Sequence, residues 1–291
     1  MKIREVQGRL KVAAPAKINL FLEIVGKRSD GYHELVTVMQ KVSLFDYVFL
    51  EDNAEEVLFT CSNSKLSVGE DNLVLRAIRL LQKESKVDKG VKIYLEKNIP
   101  MGAGLGGGSS DAVATLFGLN RLWRIGYNEE QLLSLAGELG SDTAFFASGN
   151  TAFCKGRGEI VSPCVTKVKC YYVIVYPGFE VSTSVVYKYF KIDLTKKLKD
   201  VSLFARLLVS GSVEELGACL FNRLEEVVFR LYPELEKTKK ALAQFSFCGT
   251  LLSGSGSALY GICRKESDAK EIGRRLKALN IGDVFVVTND F

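Results

Sequence analysis

The stretch Pro100-Met-Gly-Ala-Gly-Leu-Gly-Gly-Gly-Ser-Ser-Asp-Ala112 places five glycines between a predicted strand and a predicted helix. Before it, apolar and polar residues alternate through positions 91–95, as in a half-buried strand. After it, apolar residues recur at helical spacing from 112 to 123, and residues 109–111 are of types that favour a helix start. Glycines let a backbone approach a ligand closely, and the free N–H groups of a helix start attract anions. The sequence therefore predicts a phosphate-binding loop.

Two common phosphate loops do not fit this stretch. It contains the pattern G-x-G-x-x-G at Gly102, Gly104 and Gly107, but a dinucleotide fold also needs an acidic residue at a strand end about 20 residues later. At that distance Asn128-Glu129-Glu130 instead predicts the start of another helix. A Walker loop needs a lysine after its glycines, and the sequence has none there. A plain flexible linker is disfavoured because an apolar helix follows at once.

The composition favours a globular protein with a sizeable core. Of the 291 residues, 47% are hydrophobic and 25% are charged, and the length allows one large domain or two of ordinary size. The net charge of +5 suits an anionic small substrate but is too evenly spread to predict nucleic-acid binding. No signal peptide or membrane-spanning run is recognised. Seven cysteines without a C-x-x-C pair and a single histidine predict reduced thiols in the cytoplasm and no zinc site.

Hydrophobic periodicity predicts strands and helices along the whole chain. The predicted strands are 10–25, interrupted by Pro15, and 36–42, 47–50, 91–95, 173–176 and 284–287. The predicted helices are 72–81, 112–123, 129–139, 203–208, 214–221, 232–243 and 267–279. Residues 161–169 have no regular pattern, so we predict a domain boundary near residue 160.

Several polar residues allow both a structural and a functional interpretation. Lys17 and Asn19 point to the same face of the first strand, where a lysine is usually solvated. A lone histidine such as His33 is usually structural. Asn72 and Asp142 are both of types that cap helices. From the residues alone these interpretations stay open.

The same ambiguity applies to the second half of the chain. Residues 249–258 are rich in glycine and serine and form either a hairpin turn or, together with residues 102–108, a shared polyphosphate site. The second interpretation accounts for both loops at once. Lys155 and Arg157 either meet substrate phosphates or are solvated charges.

Matches spread over nearly the whole chain resemble the GHMP small-molecule kinases. Besides residues 100–112 they include Ala14-Pro-Ala-Lys-Ile-Asn-Leu20, Gly31-Tyr-His-Glu-Leu35, Gly140-Ser-Asp-Thr-Ala-Phe-Phe146 and Ser253-Gly-Ser-Gly-Ser257. The resemblance implies an α+β fold of two domains. The first, residues 1–160, is the N-terminal nucleotide domain. The second, residues 161–291, is an antiparallel sheet with helices on one face.

The resemblance also implies a reaction. ATP would phosphorylate the 2-hydroxyl of 4-diphosphocytidyl-2-C-methyl-D-erythritol, on the non-mevalonate route to isoprenoid precursors. Asp142 would accept or orient the hydroxyl proton, and Lys17 would lie beside the transferred phosphate. Mg²⁺ would arrive with the nucleotide and touch Ser109 or Ser110, with no separate metal site built from protein side chains.

Further site residues are implied in the same way. Those expected to bind ATP are Asn72, Pro100, Met101, Gly102, Ala103, Gly104, Leu105, Gly106, Gly107, Gly108, Ser109 and Ser110. Those expected to bind the acceptor are Asn19, Tyr32, His33, Lys155, Thr183, Tyr187, Gly254, Ser255 and Gly256. Among them Tyr32 and Tyr187 would hold the cytosine ring, and His33 would hydrogen-bond its edge.

One position departs from the family pattern, and two other functions compete. Family members often have proline where this chain has Ser184, next to the segment that carries Tyr187. The chain could be another GHMP kinase, acting on mevalonate, homoserine or a sugar, although the segments around His33 and Tyr187 argue against this. It could also be a nucleotide-binding module without catalysis, which the presence of both Lys17 and Asp142 disfavours. The sequence does not indicate an oligomeric state.

Overall fold

The computed structural model describes residues 1–53, 56–192 and 197–291. The strands of the described residues are β1 (Lys2–Val6), β2 (Arg9–Lys27), β3 (His33–Asn53), β4 (Val57–Cys61), β5 (Gly90–Glu96), β6 (Thr151–Gly156), β7 (Ile160–Cys164), β8 (Tyr171–Tyr176), β9 (Phe221–Asn222), β10 (Gly249–Leu252), β11 (Leu259–Cys263) and β12 (Asp283–Thr288). The helices are α1 (Leu73–Ser85), α2 (Gly107–Leu122), α3 (Glu129–Leu139), α4 (Thr143–Ala147), α5 (Thr183–Tyr189), α6 (Val201–Ser210), α7 (Val213–Ala218), α8 (Glu225–Leu231), α9 (Pro233–Leu242) and α10 (Glu266–Ala278).

Contacts between residues divide the chain into two compact units. The first consists of Met1–Ala16, Leu44–Ile99 and Gly106–Gly149, and the second consists of Lys17–Ser43, Pro100–Leu105 and Asn150–Phe291. Strands β2 and β3 are therefore both divided, with one part of each strand in the first unit and the other part in the second. The boundary near residue 160 concerns the family domains rather than these units, and it stays a prediction.

The first unit combines a sheet with helices α1 to α4. Its strand segments follow the order β1-β2-β3-β5-β4, with β4 parallel to β5 and β3 antiparallel to β5. Helix α2 contacts α1, α3 and α4. It also lies so close to the sheet that a Cβ on Gly118 would come within 2.2 Å of Leu50 Cδ1. The helix that follows the glycine loop is thus held by packing on both sides.

The start of α2 is set by a left-handed glycine. Gly106 is the N-cap residue with a φ of 71°, and the helix begins at Gly107. Side chains disfavour this backbone conformation, so glycine is needed at the junction. The expectation that residues 109–111 start the helix is wrong, because the helix already begins at Gly107. The chain enters this helix through a backbone turn rather than a side-chain cap.

The second unit contains a sheet of four antiparallel strands in the order β10-β11-β8-β12. Helix α10 contacts β8, β11 and β12, and a Cβ on Gly273 would lie 2.6 Å from Val286 Cγ2. Buried side chains such as Val173, Leu235 and Leu252 belong to its core. In the same unit β6 pairs antiparallel with β3 and β7, and the short β9 pairs parallel with β2.

Most predicted elements are confirmed with small shifts at their ends, and four details are wrong. Pro15 does not interrupt β2, and the two strands predicted at 36–42 and 47–50 are one strand, β3. The residues between the two predicted strands include Asp46, which is buried and paired with a lysine. Residues 161–164 of the stretch predicted as irregular belong to the edge strand β7, whereas 165–169 lie outside any strand or helix. The helix predicted at 214–221 stops at Ala218, because Phe221 pairs with β2 and packs on Phe21.

Candidate active site

Lys17 and Asn19 form a buried polar pair on β2. The Lys17 ammonium donates a hydrogen bond to Asn19 Oδ1 over 2.6 Å, and Asn19 Nδ2 donates to the Thr37 hydroxyl over 2.9 Å. Only 4% of Lys17 and 1% of Asn19 is exposed. Lys17 is therefore not a solvated strand lysine. A buried ammonium needs oxygen partners, and these partners define where its charge lies.

The loop between β10 and β11 is a hairpin loop that also contacts the first glycine loop. Ser253 Oγ donates to the carbonyl oxygen of Gly104 over 2.9 Å, and the Ala258 N–H donates to the carbonyl oxygen of Ala103 over 3.0 Å. Gly104 has a φ of 74°, and a Cβ there would lie 2.1 Å from the carbonyl oxygen of Ser253. Residues 249–258 thus form a hairpin and also pack against the Pro100–Leu105 segment.

The same hairpin loop lies against the polar pair on β2. A Cβ on Gly254 would lie 3.1 Å from Asn19 Oδ1 and 3.5 Å from Lys17 Nζ. The Asn19 N–H donates to Ser253 Oγ over 3.4 Å, and the Tyr260 hydroxyl donates to the Asn19 carbonyl over 3.0 Å. Four predicted site residues, Lys17, Asn19, Gly104 and Gly254, therefore belong to one network.

Asn222 holds this loop through hydrogen bonds, although it belongs to no recognisable sequence motif. Its Nδ2 donates to the carbonyl oxygens of Leu252 and Gly254 over 2.9 Å and 2.7 Å. Its Oδ1 accepts from the Leu224 N–H over 2.9 Å. With 4% exposure, the side chain acts as a buried bracket for the hairpin loop. No sequence pattern indicated this role, because both carbonyls come from a segment some 30 residues later.

Two further acceptor candidates meet through their hydroxyl groups. Thr183 Oγ1, at the first residue of α5, lies 2.7 Å from Ser255 Oγ in the hairpin loop. The glycines on either side of Ser255 have positive φ values, 58° for Gly254 and 86° for Gly256. The loop therefore presents hydroxyl and backbone groups in a shape that only glycine permits easily.

His33 lies against two aromatic rings. Its ring centroid is 5.3 Å from that of Tyr187 and 5.6 Å from that of Phe190, which it meets edge-on. Burial, with a smaller contribution from Lys27, lowers the pKa of His33. The neutral imidazole favoured by this shift has one donor and one acceptor nitrogen. The structure thus brings His33 and Tyr187 together, and it adds Phe190, which no motif had indicated.

Tyr32 lies in a different environment from Tyr187. Tyr32 is 57% exposed, and the Arg157 guanidinium lies over its ring, 4.9 Å from the ring centroid. The backbone N–H of Arg157 donates to the Glu159 carboxylate over 2.5 Å. Lys155 is exposed. The stacking of a base between Tyr32 and Tyr187 stays a prediction.

In the first unit, the first turn of α2 carries an unusual serine. Ser110 is fully buried, and across residues 1–53, 56–192 and 197–291 its hydroxyl finds no hydrogen-bond partner. A buried hydroxyl without a partner costs free energy, which a ligand oxygen or cation at this helix start would recover. Asn72, by contrast, is the N-cap of α1, with Oδ1 accepting from the Val74 and Leu75 N–H groups. Its capping role is confirmed, and its nucleotide contact stays a prediction.

Asp142 occupies the N-cap position of α4 without acting as a side-chain cap. It makes no capping hydrogen bond to that helix, whereas Asn128 caps α3 through a reciprocal pair with Gln131. The Asp142 residue is half-buried. Capping therefore does not account for an aspartate here. No group of three or more His, Cys, Asp or Glu side chains within the described residues is placed to hold a metal ion.

The fold and the two glycine loops define a small-molecule kinase, and the chain belongs to the GHMP kinase family. The model of the GHMP kinases N terminal domain matches residues 72–150, and that of the GHMP kinases C terminal domain matches residues 204–281. Members of a kinase family use ATP, so ATP is the phosphoryl donor. In the part of the chain that the structure describes, no helix is long and apolar enough to cross a membrane.

Relatives of the chain carry one particular name. This chain is 39% identical to the 4-diphosphocytidyl-2-C-methyl-D-erythritol kinase of Syntrophus aciditrophicus, and the matched region covers 90% of this chain and 92% of that one. It is also 39% identical to the kinase of the same name from Pelotomaculum thermopropionicum, with 96% of each chain covered. A crystal structure of 4-(cytidine 5'-diphospho)-2C-methyl-D-erythritol kinase is 35% identical, with a TM-score of 0.80 and coverage of 96% and 98%.

Proposed function

We propose that this protein transfers the γ-phosphoryl group of ATP to the 2-hydroxyl of 4-diphosphocytidyl-2-C-methyl-D-erythritol. The reaction class follows from the family. The acceptor is supported by relatives of that name at 39% identity over nine-tenths or more of both chains. One geometric observation carries the choice of acceptor: the rings of His33 and Tyr187 lie 5.3 Å apart. An aromatic group beside a hydrogen-bonding ring suits a nucleobase, which neither mevalonate nor homoserine contains.

The roles of individual side chains follow from their environments. Asp142 accepts or orients the proton of the acceptor hydroxyl, as the resemblance of residues 140–146 to the family segment implies. Lys17 offsets negative charge on the moving phosphoryl group, because its buried ammonium lies at the hairpin loop. Asn19 orients Lys17, and Gly254 leaves room for the substrate beside both. Phosphoryl transfer depends mainly on such positioning and charge stabilisation.

The residues of the helix start also fit a nucleotide with Mg²⁺. Gly106, Gly107 and Gly108 place unsubstituted backbone at the start of α2, where N–H groups attract phosphate. The Ser110 hydroxyl, buried and without a partner among the described residues, has the chemistry of a ligand for the ion. The metal would supply charge neutralisation between the phosphates.

A coupled assay of ADP formation tests the proposed function. Purified protein is given ATP and Mg²⁺ with the cytidyl compound, mevalonate, homoserine or no acceptor. We expect ADP to form with the cytidyl compound only. Equal turnover of mevalonate or homoserine would leave only the general kinase assignment, and no turnover with any acceptor would indicate a binding module.

The Asp142→Asn variant tests the catalytic assignment within the same assay. It keeps the shape and removes the charge, so kcat should fall by roughly 10²–10⁴-fold, the usual range for a general acid or base. Binding of an ATP analogue should change little. If the variant retains more than half of the activity, Asp142 is not the catalytic carboxylate.

A further inference from the structure

A buried triad of charges lies under the start of α2. The Lys97 ammonium forms ion pairs with Asp111 Oδ2 over 2.7 Å and with the Asp46 carboxylate. The side chains of all three residues are almost fully buried, with exposed fractions of 4%, 2% and 0% for Lys97, Asp111 and Asp46. Asp46 comes from β3, Lys97 directly follows β5, and Asp111 is the fifth residue of α2. The triad thus joins three separate parts of the chain.

The triad also holds the backbone that leads into the glycine loop. Asp46 Oδ1 accepts from the N–H groups of Asn98 and Ile99, over 2.5 Å and 2.8 Å. These residues immediately precede Pro100, where the loop begins. The Asp46 carboxylate therefore fixes the entry to the loop, which is the backbone before Pro100. Through Lys97 it is also linked to Asp111 of α2, the helix at the exit of the loop.

The helix backbone rests directly on these charges. A Cβ on Gly107 would lie 3.1 Å from Lys97 Nζ and 3.3 Å from Asp46 Oδ2. There is consequently little room between the first residue of α2 and the ion pair. Any change in the length or position of the Lys97 side chain would shift the turn that carries the N–H groups at the helix start.

The free energy needed to bury this triad is large, so stability alone does not explain it. Burying charges costs several kcal/mol for each ion, and apolar residues of similar size are often neutral or stabilising in their place. The triad holds two carboxylates against one ammonium, and Asp111 Oδ1 is buried without a hydrogen-bond partner in the described residues. Burial raises the pKa of the Asp111 carboxyl, and the neighbouring Lys97 ammonium opposes this shift. Packing would be better served by an apolar side chain, so the directional bond from Lys97 to Asp111 calls for another explanation.

We propose that Asp111 and Lys97 are positioning residues, which hold the first turn of α2 at the place where its N–H groups receive the ATP phosphates. This inference rests on the proposed function, since it assumes that the helix start binds ATP. Neither side chain needs to touch the nucleotide. The bond between them fixes the entry and the exit of the loop relative to each other before ATP binds. Preorganisation of this kind lowers the entropy cost of binding.

Two substitutions at one position separate the directional bond from the charge. Asp111→Asn removes the charge and keeps an oxygen that can accept from Lys97. Asp111→Leu removes both but leaves the Lys97–Asp46 pair intact, and it keeps the branched shape of the original side chain with bulkier methyl groups in place of the oxygens. Direct titration with a non-hydrolysable ATP analogue and Mg²⁺ measures the dissociation constant, and thermal melting measures stability. Asp111→Ala is titrated alongside them, so that an overpacked Leu variant does not decide the result.

We expect Asp111→Leu and Asp111→Ala to bind the analogue about tenfold more weakly than the wild type, the effect of losing one charge-assisted hydrogen bond. Asp111→Asn should stay within about threefold of the wild type. KM for the acceptor should not change. If folded Leu or Ala variants bind the analogue as tightly as Asp111→Asn, the triad is only structural and the inference is wrong. Because binding is measured without turnover, this failure is distinct from a failure of the proposed acceptor.

Discussion

Lys17 Nζ donates a 2.6 Å hydrogen bond to the side-chain oxygen of Asn19, two residues further along the same strand. Alternate residues of a strand share a face, so the two side chains reach the same side of β2. The bond also fixes the orientation of the Asn19 amide, whose nitrogen then faces the Thr37 hydroxyl. The ammonium is held in one position before any substrate arrives.

Replacing this ammonium tests its role in charge stabilisation. Methionine has nearly the length of lysine and no charge, so Lys17→Met should lower kcat by about 10²–10³-fold, as removal of an oxyanion-stabilising donor does. Lys92→Met is the matched control, because Lys92 is an exposed lysine on β5 outside the proposed site, and it should behave as the wild type. Steady-state kinetics and thermal melting of both variants decide the matter. Retention of more than half of kcat in folded Lys17→Met would refute the assignment.

The features that were predicted correctly are local in sequence. Alternation along β2 placed Lys17 and Asn19 on one face, and the glycine spacing indicated the positive φ of Gly106. The partners of these residues are not local. Ser253 approaches Asn19 from 234 positions away, and no periodicity describes such a pairing.

Buried polar groups were the features that the sequence did not reveal. Asp46 lies between the two strands that were predicted separately, and a charged residue at such a position is normally at the surface. Its partner Lys97 lies at the end of a strand more than 50 positions later, and only the folded chain shows that the two charges compensate each other. The triad and the Asn222 bracket were missed for this same reason.

A methyl group at Gly104 should disable the phosphate loop. Gly104→Ala would place a Cβ 2.1 Å from the carbonyl oxygen of Ser253, at a residue with a φ of 74°. We expect the free energy of unfolding to fall by about 1–3 kcal/mol, a typical cost of such backbone strain, and binding of the ATP analogue to weaken severely. Calorimetric titration and denaturant unfolding measure the two effects.

Gly137→Ala is the matched control for this change. Gly137 lies inside α3, and a Cβ there would meet nothing within 4 Å. Alanine is a better helix former by about 0.8–1.0 kcal/mol, so this variant should be slightly more stable and bind the analogue normally. If the two alanine variants behave alike, close packing at Gly104 does not matter for the site.

The acceptor site should distinguish cytosine from uracil through hydrogen bonds rather than stacking. Stacking is worth about 1–3 kcal/mol per base but accepts any base. Tyr187→Leu should therefore raise KM for the cytidyl substrate and its uridyl analogue alike. His33→Ala should narrow the difference between them, since a site built around specific bonds leaves polar groups unpaired with the wrong base.

The measurement is kcat/KM for both compounds with the wild type and the three variants Tyr187→Leu, His33→Ala and Phe190→Leu. The wild type should use the uridyl analogue at least about tenfold less efficiently. His33 also packs on Phe190, so Phe190→Leu serves as a control that perturbs the packing and leaves the imidazole in place. Equal use of both compounds by the wild type would exclude base recognition by His33.

The pH dependence of stability should contain a contribution from Lys41. This β3 residue is 5% exposed, and burial lowers the pKa of its ammonium to about 8 from 10.5. The unfolded chain therefore binds more protons than the folded one between these two values. The cost of burying the charge is fully present below pH 8 and disappears as the pH rises towards 10.5.

Comparison with Lys41→Met isolates this effect from the titration of other groups. The wild type should gain stability relative to the variant between about pH 8 and 10, by up to an amount on the order of 3 kcal/mol. Urea unfolding of both proteins at several pH values gives the difference. Parallel stability curves over that range would show that Lys41 is charged in the folded protein throughout.

The backbone contact between Gly104 and Ser253 has a consequence for protein engineering. Each segment is shaped around the other, with a carbonyl of one occupying the space that a side chain of the other would need. A chimera that receives only one of the two loops from a distant homologue would therefore meet a mismatched surface. Exchange of both loops in one step preserves the complementary pair. The two segments, separated by about 150 positions, behave as a single transplantable unit.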